Sequence, residues 1–190
     1  EIIQNINTSE LLTAESKSYE LLEDYPNNSH LLHILSISLF RQNKNLDALE
    51  FLNKAISLDK KNYTFLLTKG SILRQLSKFN DAIIIYNKLI EMKPDLWKVY
   101  FNRANLLSEM RRYKESIEDY NKVLQIDFNN YEAYFNKANN LVYLRKYNDA
   151  LTNYDECLNI SENYIPAMLE KTKVLLKLGN FEKAIEISNK

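Results

Sequence analysis

Glycine and proline are nearly missing from this chain, with two and three residues among 190. A multistranded all-β fold needs more positive-φ and ladder-ending residues than that, so helices must dominate. Cysteine is reduced to Cys157, which excludes an intrachain disulfide and a cysteine-based metal cluster and favours a reducing cytoplasmic or nuclear setting. Neither sign of charge is in surplus, since 25 Lys and Arg face 25 Asp and Glu. A phosphate backbone or an anionic membrane would find no electrostatic footprint here, so neither nucleic acid nor membrane is an expected partner. No apolar run approaches the roughly 20 residues that cross a bilayer.

Residues for catalysis are also scarce. His30 and His33 share one helical stretch with no Cys or acidic pair to complete a metal site, and read as surface or groove histidines. Gly70 and Gly179 stand far apart, which leaves no phosphate-cradling loop. Cys157 shares an apolar register with Leu21, Ala55, Leu89 and Val123, which assigns it to the core. Sequons at Asn7, Asn27, Asn62 and Asn159 are expected by chance in so Asn-rich a chain. No enzymatic activity, metal or cofactor is expected of this segment.

What is present is repetition. Ala14, Ala48, Ala82, Ser116, Ala150 and Ala184 recur every 34 residues without insertion, as do Ser36, Gly70, Ala104, Ala138 and Thr172. A large apolar column (Leu39, Leu73, Leu107, Leu141, Leu175) and an aromatic one (Phe79, Tyr113, Tyr147, Phe181) keep the same register. Within 97–130, Tyr100, Ala104, Leu107 and Met110 make the apolar stripe of one helix, and Ser116, Tyr120, Val123 and Leu124 that of a second. Arg111-Arg112 leaves room only for a short turn, so the helices run antiparallel. Ala104 and Ser116 then face each other at the close approach of two axes, which explains the small columns. Each hairpin needs the next to cover its apolar flank.

The spacing predicts an all-α solenoid in one array over 1–190: a partial repeat at 1–28, full repeats at 29–62, 63–96, 97–130 and 131–164, and a truncated one at 165–190. Tyr25-Pro26-Asn27-Asn28, Lys93-Pro94-Asp95 and Asp127-Phe128-Asn129-Asn130 supply stop signals at the junctions. Without a polar capping helix at either end, the segment reads as a fragment of a larger protein.

The columns resemble the tetratricopeptide repeat (TPR) signature. In 63–96 they read Leu66, Gly70, Leu73, Ala82, Tyr86 and Pro94, and in 131–164 Tyr134, Ala138, Leu141, Ala150 and Tyr154. The family's Leu before the small residue is replaced by Lys69, Arg103, Lys137 and Lys171. This basic column is expected to pair with acids of the second helices, such as Asp119 and Asp155, rather than to form an anion-binding stripe. The resemblance implies a right-handed superhelix whose first helices line a concave side.

Off the core stripe, 97–130 then offers Lys98, Phe101, Asn102, Asn105 and Glu109 to that side, and 131–164 offers Glu132, Phe135, Asn136, Asn139 and Tyr143. Leu67, Phe101, Phe135 and Leu169 would form an apolar stripe beside an amide ladder of Asn102 and Asn136, flanked by Asn105 and Asn139. A carboxamide both donates and accepts, so it can hold a peptide group whatever the side chain. The expected role is a scaffold or adaptor that holds another protein or an extended peptide. An architectural array in an assembly or homodimer, or the substrate-recognition arm of a larger enzyme, are the alternatives.

The family's clamp for the C-terminal carboxylate of a chaperone tail is not expected. Its positions hold Leu67, Ser71, Asn102, Glu132 and Asn136, or one repeat later Phe101, Asn105, Asn136, Pro166 and Glu170, without lysines for the carboxylate.

Overall fold

The computed structural model describes residues 8–188, so the sequon at Asn7 lies outside the described residues. The described part is helical: α1 (Thr8–Asp24), α2 (Ser29–Arg41), α3 (Asn45–Leu58), α4 (Tyr63–Gln75), α5 (Phe79–Met92), α6 (Trp97–Glu109), α7 (Tyr113–Ile126), α8 (Tyr131–Tyr143), α9 (Tyr147–Ile160), α10 (Ile165–Lys177) and α11 (Phe181–Ser188). The chain forms two compact units, Glu1–Met92 with α1–α5 and Lys93–Lys190 with α6–α11. In each, consecutive helices pack as neighbours, and first helices also touch first helices: α2 meets α4, and α8 meets both α6 and α10.

The turns within hairpins share one backbone device. Asn43, Ser77, Arg111, Arg145 and Gly179 all have positive φ, between 57° and 76°, and stand 34 residues apart. One residue later, a backbone N–H reaches back to the carbonyl of the large apolar column: Lys78 to Leu73 at 2.9 Å, Arg112 to Leu107 at 2.8 Å and Lys146 to Leu141 at 2.9 Å. A left-handed residue just past a helix end satisfies its last carbonyls in this way, usually through glycine. Here four of the five are not glycine.

Between hairpins, asparagine starts the next helix. The Asn28 Oδ1 accepts from the backbone N–H of His30 and Leu31, Asn62 from Thr64, and Asn130 from Ala133. Each cap relieves helix-start donors that have no carbonyl partner. Asn62 and Asn130 also donate through Nδ2 to Asp59 and Asp127, both at 3.1 Å. Part of the chain's asparagine richness is therefore structural, with Asn62 capping α4.

The small columns sit where the helices press together. Ala48, Ala82, Ser116 and Ala150 are fully buried, and the Ser116 hydroxyl donates to the Ala104 carbonyl at 2.7 Å across the α6–α7 contact. At Gly70 a Cβ would stand 2.5 Å from Cε1 of buried Tyr86, which explains the glycine in that column. Ala55, Leu89, Val123 and Cys157 form a buried column, and burial raises the Cys157 thiol to about 11. Leu21 departs from the core role expected of that column, with 43% of its surface exposed. It lies on α1, which packs chiefly on α2, with Tyr19 also meeting Phe51 of α3 edge-on at 5.9 Å.

Candidate functional site

The face that α6, α8 and α10 share in the second unit carries most of the predicted residues. Phe101 and Phe135 are half-buried, because each ring rests on the tyrosine of its own hairpin. Phe101 meets Tyr120 edge-on at 6.0 Å and Trp97 at 6.0 Å, while Phe135 meets Tyr154 at 6.1 Å and Tyr164 edge-on at 5.3 Å. Such edge contacts fix a ring while leaving part of it accessible. Leu169 continues the column on α10 and is 56% exposed. In the first unit the same column holds half-buried Leu67 and half-buried His33.

The carboxamides are less free than an open ladder would be. The Tyr120 hydroxyl donates to Asn105 Oδ1 at 2.5 Å, and Tyr154 to Asn139 Oδ1 at 2.6 Å. Burial pushes the Tyr154 hydroxyl well above the ordinary phenol range, so it stays protonated. With both oxygens engaged, the side-chain N–H groups are the ends of Asn105 and Asn139 that remain to donate. Asn136 Nδ2 makes a long contact of 3.4 Å to Asn105 Oδ1, which links α8 to α6. Asn102 is half-buried, and its carboxamide makes no hydrogen bond to another described residue.

The remaining predicted residues flank this strip. Lys98 is exposed, with its ammonium 5.7 Å from the Trp97 ring centroid. Glu132 is half-buried and Glu109 exposed. Tyr143, 67% exposed, lies toward the hairpin turn, where it stacks on Tyr113 at 4.7 Å with planes 4° apart. Beyond Phe135, a cavity of about 540 Å³ opens among Ile165, Met168, Leu169, Thr172, Lys173 and Ile187.

Sequence reasoning passed over the tyrosine hydroxyls and one buried amide. Asn140, fully buried on α8, accepts from the Ser108 hydroxyl at 2.6 Å and donates to Ser116 Oγ at 2.8 Å. The signal was an amide in a column that holds Ser38, Ile72, Leu106 and Val174 in the other repeats. His33 was noticed, but its partner was not: its Nε2 lies 2.9 Å from Thr68 Oγ1, with Phe65 against the ring at 4.6 Å. Burial first, then His30, lowers the His33 imidazole from 6.5 to about 4.

The basic column behaves largely as an internal one. Arg103 donates through Nε and Nη2 to both oxygens of Asp119, at 2.7 and 2.6 Å. Lys171 pairs with Asp155, and Lys69 donates to Asn53 Oδ1 at 2.8 Å. No group of three or more His, Cys, Asp or Glu side chains suited to a metal occurs among the described residues, and none of their helices is long and apolar enough to cross a membrane.

Family models described as tetratricopeptide repeat match residues 97–130 and, in a second model, 63–96 and 131–164. The chain belongs to the TPR family. No curated protein sequence matches it. Among solved structures this TPR chain is similar to PilF of Pseudomonas aeruginosa, at 18% identity and TM-score 0.81, over 94% of this chain and 82% of that one. It is also similar to MamA of Desulfovibrio magneticus RS-1, at 14% identity and TM-score 0.76, over 85% and 91%. YrrB, a TPR protein with an unusual peptide-binding site, matches at 17% identity and TM-score 0.70, over 86% and 84%. At such identities the likeness establishes the all-α TPR solenoid fold.

Proposed function

We propose that this TPR array is a protein-interaction scaffold, and that residues 97–164 hold an extended segment of a partner polypeptide along α6 and α8. The observation that carries the reading is the pairing of Tyr120 with Asn105 and Tyr154 with Asn139. Each hydroxyl holds an amide so that its N–H groups remain for the carbonyls of a bound backbone, one repeat apart. Asn102 and Asn136 add carboxamides beside them, and the partly open rings of Phe101 and Phe135 offer apolar contact for alternate side chains. Leu169 and the adjoining cavity extend the apolar strip. Backbone hydrogen bonds would then supply affinity, and the aromatic strip selectivity. YrrB, with its peptide-binding site on the same fold, is consistent with such use.

The test begins with peptides selected from a random displayed library against the intact chain. Their affinities are then measured by calorimetry for wild type and for Asn102→Ala combined with Asn136→Ala. Loss of two hydrogen bonds should weaken binding by roughly tenfold or more. Equal affinity for both proteins would remove the amides from the account.

A further inference from the structure

One member of the basic column makes no direct internal pair. Lys137 is half-buried on α8, and its ammonium makes neither an ion pair nor a hydrogen bond with another described residue. Its column mates are supplied from second helices sixteen residues away: Arg103 by Asp119 on α7, Lys69 by Asn53 on α3, and Lys171 by Asp155 on α9. The corresponding positions around Lys137 hold Asn153 and Asn121, both neutral. Asn153 is buried, and its Nδ2 is committed to the Asp149 carbonyl at 2.7 Å. Burial lowers the affinity of the Lys137 amine for its proton, with Asp149 only partly opposing this through space. A cation that has lost part of its hydration without gaining a contact ion pair gains more from an incoming anion than a solvated lysine does.

We propose that Lys137 is a docking point for an acidic side chain of a partner polypeptide, whose carboxylate approaches beside exposed Asn121, on the side from which Asp155 pairs with Lys171. The ligand chemistry is read from the molecule itself, because two neighbours in the column are completed by carboxylates. Lys137 belongs to the side of α8 that faces second helices, so this contact is separate from the line of Phe135 and Asn136.

The intact chain, with its lysines carrying ¹³C, is titrated with a blocked hexaglutamate peptide, with hexaglutamine, and with inorganic phosphate at matched ionic strength. The Lys137 Cε resonance, assigned through Lys137→Met, should shift saturably with hexaglutamate alone. Lys137→Met should weaken hexaglutamate binding roughly tenfold, the value of one charged hydrogen bond. Asn121→Asp, at an exposed position, recreates the Lys171–Asp155 arrangement. It should move the Lys137 resonance without peptide and lower hexaglutamate affinity to a similar degree. An unmoved resonance in wild type, an equal response to phosphate, or undiminished affinity in Asn121→Asp would each overturn the proposal.

Discussion

Asn140 on α8 donates to the hydroxyl of Ser116 on α7 at 2.8 Å, and that hydroxyl donates in turn to the Ala104 carbonyl on α6. With Ser108 donating to Asn140 from α6, three helices of two hairpins are tied by one buried polar chain. A carboxamide with both ends satisfied specifies register, whereas a truncated one leaves buried groups without partners. Asn140→Ala should therefore cost about 2–3 kcal/mol, combining lost hydrogen bonds with a small void. Urea denaturation of the intact chain measures it. A change below about 0.5 kcal/mol would show that the chain of bonds adds nothing to stability.

His33 sets a pH dependence. The folded form binds its proton less tightly than the unfolded chain, near pH 4 against 6.5. Its contribution is complete above pH 6.5 and is lost as the pH falls toward 4, because unfolding then takes up a proton. Wild type should lose about 1–3 kcal/mol more than His33→Gln between pH 7 and pH 4. Parallel stability curves for the two proteins would contradict this origin.

Gly70→Ala tests the close approach to Tyr86. Helix propensity alone favours alanine by about 1 kcal/mol, yet the new methyl would meet the ring at 2.5 and 2.8 Å. Tyr86 is fully buried, so it cannot swing aside freely. The substitution should lower stability by about 1–2 kcal/mol, read as a fall in melting temperature. A rise would mean that the ring yields at little cost.

The left-handed turn residues predict the opposite sign. Arg145, with φ 59°, occupies the backbone position that Gly179 holds one repeat later. Arg145→Gly removes the Cβ penalty and returns part of the gain as unfolded-chain entropy, for a net stabilisation of about 0.5–1 kcal/mol. The converse change, Gly179→Ala, should cost about 1 kcal/mol. Urea midpoints for both variants check the pair, and a destabilised Arg145→Gly would mean that the arginine side chain makes contacts worth more than the strain.

The helical hairpins were legible because steric contact forces the same residue size at the same spacing. Ala104 against Ser116 and Gly70 against Tyr86 are two such contacts, and both leave a mark in composition. Pairing in the basic column was legible for a related reason, since Arg103 and Asp119 have opposite charges. The orientation of the groove amides was not. Asn105 is a polar residue on an accessible face in either orientation, and only the position of the Tyr120 hydroxyl decides which end it offers. The half-burial of Phe101 was hidden likewise, because its neighbour Tyr120 comes from another helix of the hairpin.

Because every hairpin closes through a single left-handed residue and one backward N–H, the turns contain no slack to absorb a stray codon. One extra residue between Leu144 and Lys146 would swing the start of α9 by about 100°, taking Ala150 and Tyr154 away from α8. Such an array keeps its register only when whole hairpins are added or removed.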